Sequence, residues 1–544
     1  MWLCGADEVV EMFKSSFPLS FLFFVPVLIL ISPVSPAAAA HEFAVFRMQQ
    51  YDLQGSSYGC RNSLVNVEAR AIEAQMYTRR CVITKLQDLA MDKYREIVSQ
   101  NAGALLVLLP QNLTELPNIV KEHLLELEQD LMQEETPLPV YFATETPQLL
   151  DIYADVKTSM NSDQAGSAAE ALLHAASANG FQMVVAGAQS KALGDFQLVN
   201  IQGKLTGSGI EEQLPTVAIV AHYDAYGVAP MLAKGADSNG SGVVALLELA
   251  RLFSKLYTNS RTHAKFNLLF LLSAGGKLNY MGTKRWIEDQ LDSSESSLLT
   301  DVSYVMCLDS LGAGENLYLH VSKPPRDGVA GDVLLGNLRE VMGQFYPDAK
   351  FEMVHKKINL ADEYLSWEHE RFSIRRLPAF TLSHHSTHKA PLRKSVLDVR
   401  DSVDKNVLSR NVKIIAESLA RHIFNLSHDT DFEVFADSLK VEPQTIGSWL
   451  DYISSQPRPA QSLGKTSPLV ATLQQALAKL LKDVQLHMVK ADKRDPEFVF
   501  YSGLEYVMNA YNVKPAVFDL FLALGIAAYL GIIYFLVQVG TTCH

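Results

Sequence analysis

The stretch Thr216-Val217-Ala218-Ile219-Val220-Ala221, running into His222-Tyr223-Asp224, decides how the rest of this chain is read. Its apolar residues are continuous and mostly β-branched, with no polar alternation. That pattern predicts a strand covered on both faces, not one lying on a solvated sheet. A glycine-rich turn follows, Gly235-Ala236-Asp237-Ser238-Asn239-Gly240-Ser241-Gly242, and then a helical pattern over 243–257. Strand, polar end, glycine-rich turn and helix make the unit of open α/β sheets, whose ligands gather beyond the carboxyl ends of the strands.

The same alternation extends in both directions. Upstream lie a helical pattern over 168–178 and strand-like runs at 182–186 and 197–205. Downstream come strand 264–272, helix 280–291, strands 302–308, 317–321 and 379–382, and a closing helix over 407–424. The sequence therefore predicts a doubly wound α/β domain with a mixed central sheet over 167–427. Nearer the N-terminus, apolar runs at 104–110 and 138–143 are each followed by a helical pattern, 115–134 and 148–156. That βαβα order predicts a smaller α/β domain over 41–157, with the polar stretch 158–166 as a linker. Residues 428–515 read as a helical juxtamembrane region, notably 469–488, with a solvated charge run at Lys490-Ala491-Asp492-Lys493-Arg494-Asp495.

Two apolar stretches speak to compartment. Residues 17–31 are apolar and are followed by Ser32-Pro33-Val34-Ser35-Pro36 and four alanines, which predicts a signal peptide over 1–40. The leader is acidic (Asp7, Glu8 and Glu11 against Lys14), so an uncleaved anchor is the competing reading; Pro26, Pro33 and Pro36 argue against a spanning helix there. Residues 520–539 carry no charge and are long enough to cross a bilayer, placing a transmembrane helix over 516–539. Asp519, Ala523, Ala527 and Gly531 recur every four residues on it, a stripe of close approach for a second helix. With a short cytosolic tail, 540–544, the expectation is a single-pass type I protein with its bulk in the lumen. Asn-x-Ser/Thr triplets at Asn112, Asn239 and Asn425 are glycosylation candidates on that side. A formal net charge of −13 and the lack of a long Lys/Arg run exclude direct nucleic-acid binding. Five cysteines form no disulfide framework; Cys60 and Cys81 either pair or stay free.

The chemistry-bearing residues stand where strands of the larger domain end. His222 and Asp224 close one strand, Asp309 closes another, Asp237 sits in the glycine-rich turn, and His384, His385 and His388 come late. A carboxylate near a histidine can accept one imidazole N–H and fix the tautomer that offers the other nitrogen to a metal. In order and spacing these motifs resemble the co-catalytic zinc aminopeptidases, a family whose non-catalytic branch includes nicastrin. The resemblance implies His222 and Asp309 as ligands of one metal, Asp237 as the bridge and Asp224 as the residue orienting His222. It assigns His384 or His388 to the second metal.

One turn departs from that pattern. Where the family carries adjacent glutamates, one the general base and one a ligand, this chain reads Ser273-Ala274-Gly275-Gly276-Lys277. Loss of a general base costs roughly 10²–10⁴-fold in rate, and loss of a ligand empties the second metal position. Lys277 adds a positive charge where a cation belongs. The nearest downstream carboxylate, Glu288, falls mid-helix and replaces neither. The expectation is a degenerate active site with catalysis lost at Gly275 and Gly276, no cofactor beyond residual zinc, and relic ligands bonded to one another.

Further segments tie nearly the whole chain to that non-catalytic branch: Phe46-Arg47-Met48-Gln49-Gln50-Tyr51-Asp52-Leu53-Gln54-Gly55, Val321-Ser322-Lys323-Pro324-Pro325-Arg326, and the charged run through Pro496-Glu497-Phe498. The resemblance implies a non-enzymatic subunit of an endoplasmic-reticulum membrane complex. Its implied partners are the Nodal modulator protein and a small multi-span membrane protein. Indirectly they include the ribosome-bound translocon for multi-span membrane proteins, with a link to Nodal signalling. Two other functions remain open at this point: a one-zinc aminopeptidase, and a lumenal receptor holding a peptide in the cleft of His222 and Asp309.

Overall fold

Thr216–His222 is a central strand of an eight-stranded mixed sheet. In order the sheet runs Phe351–His355, Leu317–Val321, Ala379–Ser383, Val302–Leu308, Thr216–His222, Asn267–Ser273, Gln197–Leu205 and Lys482–Lys490. This computed structural model describes residues 41–161, 180–292, 298–299, 301–426, 432–513 and 516–542. The expected signal peptide (1–40) and the helix over 168–178 lie outside those residues. Thr216–His222 pairs in parallel with Asn267–Ser273 on one side and Val302–Leu308 on the other. Its side chains divide between two layers, as continuous apolar character predicted. Val217, Ile219 and Ala221 join the core beneath the helix Gly242–Thr258. Ala218 and Val220 meet Trp286 and Ile287 of the helix Met281–Asp292 and Phe372 of His369–Ile374 on the opposite face. Each buried Val or Ile contributes about 1.5–3 kcal/mol to this arrangement.

The smaller unit is a closed barrel of seven strands: His41–Arg47, Glu505–Val513, Gly180–Val185, Val65–Ala71, Cys81–Lys85, Ala104–Leu109 and Val140–Thr144. It is not the continuous block 41–157. The strand expected at 182–186 is Gly180–Val185, and it belongs to the barrel, not to the larger sheet. The helix Pro147–Asn161 also runs into the first residues of the expected linker.

The region 428–515 corrects the expectation most. It holds helices Pro443–Ser454 and Pro468–Ala478, then three strands in three different sheets. Lys482–Lys490 edges the large sheet, Phe498–Phe500 pairs with Gln50–Leu53, and Glu505–Val513 closes the barrel. Val484, Leu486 and Met488 alternate with polar neighbours at a period of two, a strand signal that follows directly on a helical one. Buried Arg47 fastens the two ends of the barrel, donating to the carbonyls of Ser502 and Gly503 at 3.1 Å and of Cys60 at 2.9 Å. Cys60, Cys81 and Cys307 are buried and free, so Cys60 and Cys81 do not pair.

Glu128, fully buried on the helix Asn118–Leu131, joins the barrel unit to the larger domain. Its carboxylate accepts from the Val228 N–H at 3.2 Å, the Val396 N–H at 3.1 Å and the Ser395 hydroxyl. Burial pushes the carboxyl up from 4.5 to about 7. A raised folded-state value means the stability contribution is whole below the unfolded value near 4.5 and is lost as pH rises through about 7. Chemical denaturation from pH 4.5 to 8 is therefore expected to lose roughly 2–4 kcal/mol from this group, and Glu128→Gln to flatten that part of the profile. An unchanged profile in the variant would assign the pH dependence elsewhere.

The chain ends in the helix Ala516–Thr542. Its side chains are described for Leu520 and 523–535, and Leu524, Ile526, Leu530, Ile532 and Phe535 among them are exposed. Among the described residues no helix is long and apolar enough to cross a membrane.

Candidate functional site

The sheet's carboxyl end brings His222, Asp224, Asp237, Ser238, Lys277, Asp309, Glu368, Arg393 and Asp398 into one buried cluster. Three strand ends and the glycine-rich turn place the first six; the other three come from later loops. The local sequence explains the turn. Gly235 has a φ of 58°, in the left-handed region, and a Cβ there would lie 2.6 Å from that of Ala225. Asp398 takes the Asp237 N–H at 2.8 Å and the Ser238 N–H at 2.7 Å, pinning the turn against the sheet. Burial, with Asp237 adjacent, raises the Asp398 carboxyl.

His222 is fully buried, but Asp224 does not orient it. Asp224 accepts instead from the N–H groups of Gly276 at 2.7 Å and Lys277 at 3.1 Å, which fixes the turn after Asn267–Ser273. The carboxylate facing His222 belongs to Glu368, whose Oε2 lies 3.3 Å from Nδ1. Sequence reading missed Glu368, since it follows Trp367 in an irregular stretch with no motif around it. Its other oxygen accepts from the hydroxyls of Ser273 at 2.5 Å and Thr283 at 2.6 Å. A carboxylate only accepts, so the proton sits on Nδ1 and Nε2 is left a buried acceptor with no hydrogen-bond partner.

Asp237 does not bridge toward His222 and Asp309. Its Oδ1 accepts the Gly312 N–H at 2.8 Å and its Oδ2 meets His384 Nε2 at 2.7 Å. Burial works to raise this carboxyl, but His384 and the Gly312 N–H outweigh it and hold it below the usual range. Ser238 occupies the central position: its hydroxyl donates to Asp309 Oδ1 at 3.4 Å and receives the Lys277 ammonium. Of the two late histidines the resemblance left open, His384 faces the cluster. His388 lines a cavity elsewhere, and the group able to surround a cation is Asp237, His384 and His385, with ligand atoms within 4.8 Å of one another.

Two side-chain cations complete the cluster. Arg393 donates to Asp309 Oδ2, and its guanidinium lies 4.0 Å over the Trp367 ring. Burial opposes the Asp309 charge, yet Arg393 and Lys277 hold the carboxyl well below 3.8. Lys277 is itself buried, and desolvation pushes it down from 10.5 to about 8 against the pull of Asp309. Gly275 and Gly276 present no side chain, and position 276 has no room for one. A Cβ there would stand 2.2 Å from His222 Cγ.

Asn239 is corrected as a glycosylation candidate. It is fully buried, donates to the Leu308 carbonyl at 2.7 Å and accepts from the N–H groups of Gly242 and Ser310 at 3.2 Å. Asn112 and Asn425 are exposed.

Residues 200–418 match peptidase family M28. The crystal structure of the gamma-secretase component nicastrin shares the fold, with a TM-score of 0.62 at 12% identity over 86% of this chain and 99% of that one. A protein of Danio rerio described as BOS complex subunit ncln is 54% identical over 553 residues, 98% of this chain and 96% of its own length. Nicalin of Caenorhabditis elegans is 31% identical over 556 residues, 97% of this chain and 96% of its own. With similarity of that depth running from end to end, the chain belongs to the nicalin family.

Proposed function

We propose that this chain is a non-catalytic scaffold or assembly subunit of an endoplasmic-reticulum membrane complex. The observation that carries this reading is the 54% identity, over 98% of the chain, to a protein described as a BOS complex subunit. The site supports it. No carboxylate stands at 275 or 276, and an arginine and a lysine stand against Asp309. In this reading the helix Ala516–Thr542 spans the bilayer: 27 residues rise about 40 Å, and Leu520, Leu524, Ile526, Leu530, Ile532 and Phe535 on it stand exposed, as they would toward lipid. The two folded units then lie in the lumen, with glycans at Asn112 and Asn425. The partners are the Nodal modulator protein and a small multi-span membrane protein. Through them the complex meets the ribosome-bound translocon for multi-span proteins, with a link to Nodal signalling.

The small-residue stripe of that helix is the contact under test. Ala527→Leu is expected to reduce partner recovery on co-purification from mild detergent several-fold while leaving expression unchanged. Undiminished recovery would remove the helix from the interface.

A receptor role has one observation in its favour, at a different place from His222 and Asp309. A cavity of about 620 Å³ is lined by Tyr51, Tyr58, Tyr226, Tyr364 and Lys394, where the barrel unit meets the larger domain. Peptide binding that survives Tyr226→Ala would end that reading.

A further inference from the structure

Asp224, Asp237, Asp309, Asp398 and Glu368 are all at most 5% exposed, and all converge on the end of one sheet. An isolated buried carboxylate costs several kcal/mol, so such a cluster folds only with cations among the acids or with protons on them. The fold family suggests metal ions for this task, but at His222 and Asp309 the residues present do not fit one. Asp309 has one oxygen on Arg393 and the other on the hydroxyls of Ser310 and Ser238. Lys277 Nζ rests on Ser238 Oγ, so a metal reaching for Asp309 and His222 meets an ammonium already there. At the second position Asp237, His384 and His385 still lie close enough to surround a cation, so the substitution concerns the first position alone.

We infer that Lys277 and Arg393 take the place of the metal ion at His222 and Asp309, so that the countercharge Asp309 requires is part of the chain itself. Three observations converge on this. Lys277 leaves the turn whose backbone Asp224 holds, which aims its side chain at Ser238 and not at solvent. Arg393 is fixed from both sides, by Asp309 and by the Trp367 ring, and a second donor reaches the His388 carbonyl at 2.9 Å. His222 Nε2 is buried and makes no hydrogen bond, so it is the ligand atom open to a metal once Lys277 is removed. Asp309 thereby gains countercharge that neither chelators nor metal supply can remove.

Cobalt(II) uptake by the purified full chain, followed by its visible absorption, tests this. The parent is expected to show the same unfolding midpoint with and without chelator. Lys277→Ala is expected to take up one equivalent more cobalt than the parent, and Lys277→Ala with His222→Ala to lose that equivalent. Lys277→Arg, which keeps the charge, is expected to match the parent; if Lys277→Ala does not fold, Lys277→Met takes its place. A parent whose midpoint falls on chelation, or an ammonium-free variant that gains no cobalt, overturns the inference.

Discussion

Arg393→Met is expected to cost about 3–5 kcal/mol of folding stability, read as a lowered denaturant midpoint with an unchanged slope. The variant keeps the volume near Trp367 but strips Asp309 of its closest charge partner in a place shut off from bulk solvent. Asp309 is 2% exposed, so the loss is not softened by solvent as it would be at the surface. The pH dependence should change in a defined direction. In the parent the depressed Asp309 value means its contribution is whole above 3.8 and fails only as pH falls through the folded value, well below that. Without Arg393 the folded value rises, so the loss on acidification is complete at a higher pH and is smaller. Arg393→Lys should recover only part of the stability, because a point charge cannot both stack on Trp367 and reach the His388 carbonyl. A midpoint within experimental error of the parent for Arg393→Met would show that the pair contributes nothing.

Gly276→Glu is the second large effect, and it runs against the simplest idea of repair. Returning a carboxylate to the degenerate turn is expected to yield little folded protein and no aminopeptidase turnover. The added Cβ would sit 2.2 Å from His222 Cγ, and the backbone cannot retreat because Asp224 holds the N–H groups of both 276 and 277. Gly276→Ala alone should cost about 1–3 kcal/mol through overpacking. The glutamate adds a further buried charge beside Glu368, with no cation left to meet it. A soluble Gly276→Glu variant that cleaves an aminoacyl substrate would mean the site is merely missing a group; the packing says it has been rebuilt around the absence.

The two substitutions probe features of unequal legibility. The glycines at 275 and 276 stand in the sequence beside an alternation of strands and turns that is plain to read. Their significance came from the resemblance to the zinc aminopeptidases, which implies adjacent glutamates at that turn. The same holds for His222, Asp237 and Asp309 as residues at strand ends and turns. Their relations to one another were not available. Asp224 is two residues from His222 yet turns to the backbone of the next strand's loop, while Glu368, 146 residues away, faces the imidazole. Ser238 sits in the central position by adjacency to Asp237, and nothing in residue type marks it. In the C-terminal region, a helical pattern and a period-two pattern meet within a few residues at Leu481, and the longer one masked the shorter.

What the sequence by itself determined is local: which segments are strands and helices of the larger domain, where the strands end, and that one turn lacks carboxylates. Side-chain periodicity and glycine placement act over a few residues, so those features are written where they occur. Only the tertiary structure decided that Gly180–Val185 and Glu505–Val513 complete a barrel, that Asn239 is sealed, and that Lys277 and Arg393 answer the buried acids. Each of these depends on pairing between distant segments, as Arg393 and Asp309 pair across 84 residues. A buried charge is balanced by whichever partner the fold brings within hydrogen-bond reach, and sequence distance places no limit on which that is.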